Sequence, residues 1–397
     1  MIQIDGSFLE GGGQIVRNAL ALSVLTGKPF EVTNIRKNRP QPGLKAQHVH
    51  AIKALEQLCS AKVSGAEIGS ERLVFEPGKF IAKNLEIDIG TAGSISLLLQ
   101  SLILPCFFAD KSITIKLKGG TAVKWAMPIE YLQNVFIPQL RNFCEKIEVS
   151  LDKRGYFPVG GGVVEVRISP SKFGRYDKDE VSETIEEVEK PAKESELSLL
   201  EKLSYLNNLR TKINLTNRGK LICVGGVSHA SKDLEKAEVA QRQARRAKNI
   251  LASLKVPVEI SCEYSDSLCT GSGITLWALF ENSDNDDAQI ILGSDALGVH
   301  PNKFGLPPQQ RVSEEKGKKA EAVADECASN LLREINSKAC VDKHLADNLI
   351  PWMALIRPSK IKTSEITDHT RTNIYTTELF LGKCFEVDEK DSVVRSK

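Results

Sequence analysis

Several common signatures are missing from this chain. Its nine cysteines never form a C-x-x-C pair, and the closest two are Cys262 and Cys269. Zinc frameworks and dense disulfide scaffolds need tighter clusters, so the expectation is reduced thiols in a cytoplasmic compartment. Long apolar runs are also missing. The longest, over 95–109, is interrupted by Ser96, Gln100, Ser101 and Pro105. It reads as a buried helix and not as a membrane span. The first residues, Met1-Ile2-Gln3-Ile4-Asp5, start directly as a strand and lack the basic-then-apolar order of a secretory leader. Net charge is only +2. Without a global basic field, any nucleic-acid contact has to come from local basic clusters.

What is present reads as a globular chain. Its 397 residues leave room for two or three domains with buried cores. Alternation and helical periodicity predict strand 2–5, helix 14–25, strand 30–35, helix 43–59 and strands 62–68 and 72–76, a β-α-β-α-β-β unit. The order recurs with strand 85–89, helix 94–108, strand 112–118, helix 129–146 and strands 147–151 and 163–168. A third copy is expected to open at 289–293. It would continue through helices 320–335 and 343–355, strand 360–366, the helix after His369 and strand 384–387. The fold class expected is therefore α+β, with a large repeat-built domain over 1–181 and 282–397. A smaller α+β domain, 182–281, is inserted into it, and the acidic stretch 177–201 reads as a solvated linker or frayed hairpin.

One stretch near the C-terminus organises the chemistry, Asp368-His-Thr-Arg-Thr-Asn-Ile-Tyr-Thr-Thr-Glu-Leu-Phe-Leu-Gly382. Thr370 or Thr372 can cap a helix that ends at Gly382, which puts His369 at the strand-to-helix turn. The helix dipole there disfavours imidazolium and leaves a nitrogen lone pair. The unpaired N–H groups of the same helix start suit a phosphate, so a neutral imidazole could attack a nucleotide's phosphorus. A polar loop histidine is the plain alternative.

Other residues gather weaker signals. Glu10-Gly-Gly-Gly13 precedes a helix, where glycines let the backbone approach an anion, and Arg17 shares that helix's polar face with Gln14 and Asn18. The Pro-rich loop over 35–45 offers Arg36 and Arg39 for bidentate phosphate contact, or is merely a solvated basic loop. His48 lies on an apolar face as a core histidine, with Gln47 beside that face. Gln100 is a lone amide in an apolar helix and must pair with backbone or meet a ligand. His344, Asp347, Asn348 and Pro351 form one helical stripe, with Asp342 as N-cap and an apolar stripe opposite. Lys236, Arg242, Arg245, Arg246 and Lys248 gather on the inserted helix without interleaved aromatics. A solvated face is the better reading of them than an RNA track.

Taken in order, Glu10-Gly-Gly-Gly-Gln-Ile-Val-Arg17, His344-Leu-Ala-Asp-Asn348 and His369-x-x-Thr-Asn-Ile374 resemble the RNA 3′-terminal phosphate cyclase family. The resemblance runs from Ile2 to about Gly382 and is loosest over 175–285. It implies a repeat-built domain carrying an insert, ATP as co-substrate with Mg²⁺ or Mn²⁺, and RNA bearing a 3′-terminal phosphate as partner. By resemblance His369 is the nucleophile that carries AMP, while Gln100, Pro128, His344, Asp347 and Asn348 hold ATP. Arg36 and Arg39 serve the RNA phosphate from a loop separate from the nucleotide stripe, Arg17 faces the phosphates, and Gln47 reaches the same site. Glu10 helps hold a metal or the nucleotide phosphates. At Asn348 the family more often has Gln, one methylene longer. No membrane partner is implied, and the residues leave the oligomeric state open, a homodimer included. Two other functions share the fold. One is a non-catalytic scaffold in ribosomal RNA processing, whose members lack the nucleophilic histidine; the other is enolpyruvyl transfer, which needs neither that histidine nor ATP.

Overall fold

The computed structural model describes residues 1–170, 212–283, 289–298 and 317–397, with single positions 199, 201, 202 and 204. It is an α+β fold built on four mixed four-stranded sheets. β1 (Ile2–Asp5) runs parallel to β2 (Phe30–Thr33). Parallel neighbours need a crossover, and α1 (Gln14–Thr26) supplies it. α2 (Ala46–Cys59), β3 (Lys62–Ser64) and β4 (Leu73–Glu76) complete a sheet of order β1-β2-β4-β3. The same element order follows in β5 (Leu85–Asp88), α3 (Ile95–Phe107), β6 (Ile113–Gly119), β7 (Lys146–Lys153) and β8 (Gly162–Ser169), giving β5-β6-β8-β7.

Between β6 and β7 the single helix expected over 129–146 is absent. One α-helical turn, Ile129–Tyr131, passes into a π stretch, Leu132–Phe136, and then a 3-10 stretch, Ile137–Phe143. Pro138 accounts for the break, because it has no N–H to donate and its ring collides with the carbonyl four residues back.

Next come β9 (Asn214–Leu215), β10 (Arg218–Ser231), α4 (Val239–Leu251), β11 (Val258–Ser265), β12 (Ser272–Asn282), β13 (Ile290–Gly298) and α5 (Ala320–Asn336). The chain closes with α6 (Lys343–Leu355), β14 (Ser359–Lys362), α7 (Asp368–Leu381), β15 (Phe385–Asp388) and β16 (Val393–Ser396). β13, expected to open the third unit, is antiparallel to β12 in the sheet β11-β10-β12-β13. A division at 281/282 would cut this pair. The strand parallel to β14 is β9 instead, in the sheet β15-β16-β14-β9. Short apolar strands look alike by periodicity, and partner choice is made by contacts distant in sequence. Most of the acidic stretch 177–201, and the expected start of the insert at 182, lie outside the described residues.

Two of the five residues of the basic cluster pair with a neighbouring helix. Arg242 makes a two-pronged pair with Glu321 of α5 at 2.8 and 2.9 Å, and Arg246 pairs with Asp325 at 2.6 Å. Inside, α1 packs on α3 and α7, and α6 packs on α7. Phe107 of α3 meets Trp352 of α6 edge-on at 5.0 Å, and Phe30 of β2 meets Phe380 of α7 at 6.0 Å. Among the described residues no helix is long and apolar enough to cross a membrane.

Arg154, buried just after β7, lies between Glu130 and Glu263 of β11, the latter at 2.5 Å. It thereby joins the second sheet's connection to the β10–β13 sheet. Removing one member of a buried pair strands the other charge, so Arg154→Ala is expected to lower stability by ~3–5 kcal/mol. Urea unfolding measures this, and a loss within ~0.5 kcal/mol would contradict it.

Candidate active site

The helix that carries His369 begins one turn earlier than expected. Thr367 is its N-cap, with Oγ1 accepting the Thr370 N–H at 3.1 Å, while Thr370 and Thr372 are buried inside the helix. Gly382 ends it. His369 therefore sits within the first turn, and both ring nitrogens are held. Gln14 Nε2 lies 2.6 Å from Nδ1, and Glu10 Oε2 lies 3.2 Å from Nε2. With the Gln14 amide donating to Nδ1, the ring proton occupies Nε2 and points at Glu10. Glu10 Oε2 also accepts from Arg39 Nη2 at 2.7 Å. The His369 pKa lies below its ordinary 6.5, chiefly through burial. Glu10 opposes that shift, whereas Arg17, Arg39 and His344 add to it. The expected neutral ring thus has burial as its main cause.

Two loops converge on this histidine. Gly13 caps α1 so tightly that a Cβ there would stand 2.3 Å from His48 Nε2 and 2.9 Å from Arg17 Nη1. Phe8 stacks on Tyr375 of α7 at 4.1 Å, and Asn38 donates to Ser7 O and Leu9 O at 3.0 and 3.3 Å. The basic loop and the Gly-rich loop therefore form one wall. His48 is buried, accepts the Lys45 N–H at 3.0 Å, and is pushed well below 6.5 by burial and then by Arg17.

Behind the histidine runs a chain of amides. Arg17 Nε donates to Gln100 Oε1 and Gln100 Nε2 to Asn348 Oδ1, both at 2.6 Å, and Asn348 Nδ2 donates to Asp347 Oδ1 at 2.7 Å. Burial pushes Arg17 down to about 10, which leaves it cationic at neutral pH. Burial and Asp342 push Asp347 well above the usual carboxylate range, against Arg17. Asn18 Nδ2 donates to Asn373 Oδ1 at 2.8 Å, and Asn373 Nδ2 to Asp347 O at 2.7 Å, tying α1, α7 and α6 together. These groups face a cavity of about 370 Å³ whose remaining walls include Met127, Tyr131, Leu132, Phe136 and Trp352. Small-molecule sites span ~300–1,000 Å³.

A family model for RNA 3′-terminal phosphate cyclase matches residues 8–387. The chain belongs to the RNA 3′-terminal phosphate cyclase family. It is 42% identical over 387 residues to an RNA 3′-terminal phosphate cyclase of Pyrococcus furiosus, covering 98% of this chain and 95% of that one. Similar proteins of the same name occur in Archaeoglobus fulgidus (38% identical, covering all of both chains) and Methanosarcina acetivorans (40%, covering 99% and 98%).

Within this cyclase-family chain the expected residues divide by position. Arg17, Gln100, His344, Asp347, Asn348 and His369 line the cavity. Glu10 and Arg39 stand one contact behind His369. Pro128 precedes the turn Ile129–Tyr131 and is next to the lining residue Met127. Arg36 turns inward to its own loop, donating to Gln41 O at 2.7 Å and Gly43 O at 3.1 Å. Gln47 is half-buried in the first turn of α2 and outside the cavity lining. Gln14, Tyr131 and Asp295 are lining residues that sequence reasoning did not assign to the site. A charged residue in the otherwise apolar run of β13 was the available signal for Asp295. Among the described residues no three of His, Cys, Asp and Glu converge as a metal cage.

His369 is expected to titrate below pH 6.5 by NMR, staying neutral at pH 7. Glu10→Gln removes the one neighbouring charge that favours imidazolium, so it should move the midpoint lower still. An upward shift would contradict the assignment of Glu10 as that charge.

Proposed function

We propose that this chain converts the 3′-terminal phosphate of an RNA to a 2′,3′-cyclic phosphodiester, with ATP as co-substrate and through a covalent His369–AMP intermediate. The observation that carries the reading is His369 itself, held at both ring nitrogens beside Glu10 and Gln14, at one end of a cavity of nucleotide size. A neutral imidazole retains the lone pair that a nucleophile needs.

In the first step a ring nitrogen attacks the α-phosphorus of ATP. The N–P bond forms, the bond to the β-phosphate oxygen breaks, and pyrophosphate leaves. Attack through Nε2 hands its proton to Glu10 Oε2, 3.2 Å away; attack through Nδ1 requires Gln14 to move aside. Arg17 offsets charge on the phosphates. Glu10 suits Mg²⁺ or Mn²⁺ as a single carboxylate among phosphate oxygens and waters, where the ion would neutralise triphosphate charge. In the second step an oxygen of the RNA 3′-phosphate attacks the histidine-bound phosphorus. The N–P bond breaks and an RNA–adenylate anhydride remains. In the third, the neighbouring 2′-OH attacks the RNA phosphorus, loses its proton and expels AMP. Arg39 and Gln47 hold the RNA phosphate, with Arg36 shaping the loop. Gln100, Pro128, His344, Asp347 and Asn348 serve the nucleoside. We read three of the sheets as one body of β-α-β-α-β-β units, with β10 to α5 inserted between β9 and α6.

Incubation with α-labelled ATP and denaturing electrophoresis tests the reading. The adduct should be acid-labile and alkali-stable, as a P–N bond is. His369→Ala should abolish it, while His48→Ala and His344→Ala leave part of it. Arg39→Ala should slow both adduct formation and cyclisation by on the order of 10²-fold, because Arg39 shares Glu10 with the nucleophile. Arg36→Ala should spare the adduct and impair cyclisation. Full labelling of His369→Ala would overturn the proposal.

A further inference from the structure

One end of the cavity holds a charged side chain that none of these steps uses. Asp295 lies on β13, in the sheet of β10–β13. Residues two apart on a strand share a face, so Asp295 follows Gly293. The Gly293 backbone is pressed against Tyr131, where a Cβ would stand 2.3 Å from a ring carbon, and its N–H donates to Asp342 at 2.8 Å. Ser294, on the opposite face, donates to Cys327 O of α5 at 3.0 Å. Asp295 therefore lines the cavity together with Tyr131, Leu132 and His344.

Its electrostatic neighbours are acidic. Asp342, Glu130 and Glu326 act on Asp295. Arg17 and Glu10 are among the charges acting on Asp347 and His369. The lining that Asp295 shares also includes the apolar Leu132, Phe136 and Trp352. A nucleotide whose α-phosphorus meets His369 would place its base against the rest of this lining, which includes Asp295.

We propose that Asp295 is a specificity-determining residue that reads the Watson–Crick edge of the nucleotide's base. The inference rests on the nucleotide-binding reading above and goes beyond it in naming which base is selected and when. Adenine presents an acceptor at N1 and a donor at its amino group. A protonated carboxyl carries one donor and one acceptor and complements that edge. A carboxylate only accepts, so it matches the two adjacent donors of guanine instead. Burial, and then Asp342, Glu130 and Glu326, push Asp295 up to about 7. The groups facing it are Glu130 (itself bound to Arg154), Tyr131, Asp342 and His344, with Glu326 and the Cys327 thiol from α5. None is an adjacent cation that would hold the acid ionised. Below pH 7 the neutral acid favours ATP; above it the carboxylate shifts the preference toward GTP.

The test is competition between α-labelled ATP and GTP for adduct formation by the full chain at pH 6 and pH 8. Taking the ratio cancels any effect of pH on His369. The wild-type ATP-to-GTP ratio should fall about tenfold from pH 6 to pH 8, the worth of one hydrogen-bond difference. Asp295→Asn, with a permanent donor and acceptor, should hold the pH 6 ratio at both values. Asp295→Ala should bring the ratio near one at both. Should the alanine variant fail to melt cooperatively, the asparagine variant decides alone. Label with an unchanged, pH-dependent ratio in either folded variant would overturn this proposal only. Absence of label from both nucleotides in the wild type would overturn the nucleotide reading and this inference with it.

Discussion

The buried carboxylate of Asp342 accepts four hydrogen bonds: from Tyr131 OH at 2.7 Å, Gly293 N–H at 2.8 Å, and the His344 and Leu345 N–H groups at 3.0 Å. The donors come from three parts of the chain: the broken helical segment after β6, the edge strand β13, and the start of α6. A carboxylate without water is tolerated only when its lone pairs are satisfied. Those three parts must therefore meet where Asp342 stands. The wall of the cavity that carries His344, Asp347 and Asn348 is set by that meeting, because α6 starts there.

From α6 the order passes to His369 by short polar contacts. Asp347, Asn348, Gln100 and Arg17 form one chain, and Asn373 and Asn18 form a second. Gln100, Asn348 and Asn373 each both donate and accept, so a change at one end is felt at the other. His369 then needs only Gln14 and Glu10 to fix its ring. Its neutrality follows from burial next to cations, the same surroundings that would receive phosphate groups. One environment thus disfavours imidazolium and, on the proposed reading, suits an anion.

The β10–β13 sheet is not a detachable appendage. Arg154 clamps Glu263 to Glu130, Gly293 reaches Asp342, and Asp295 enters the cavity. On its basic helix Arg242 and Arg246 are engaged by Glu321 and Asp325. Its role is therefore to support and line the site, more than to offer a basic surface.

By itself the sequence determined the family, through three short motifs in a given order, and the α+β class, through alternation and helical periodicity. It also determined Asp342 as a helix cap and Gly382 as a helix end, since capping depends on residues a few positions apart. The tertiary structure alone decided which strands pair. β9 is only two residues long and β13 nine, and contacts distant in sequence send one to β14 and the other to β12. It also decided that Thr367 and not Thr370 caps α7, because Thr370 and Thr372 turn into the core. Glu10, Arg39 and His369 share one carboxylate across more than 300 residues of chain by folding alone. The direction of the His369 shift was legible from its helix. Its main cause was not, because burial is a property of everything packed around a residue and not of its neighbours in sequence.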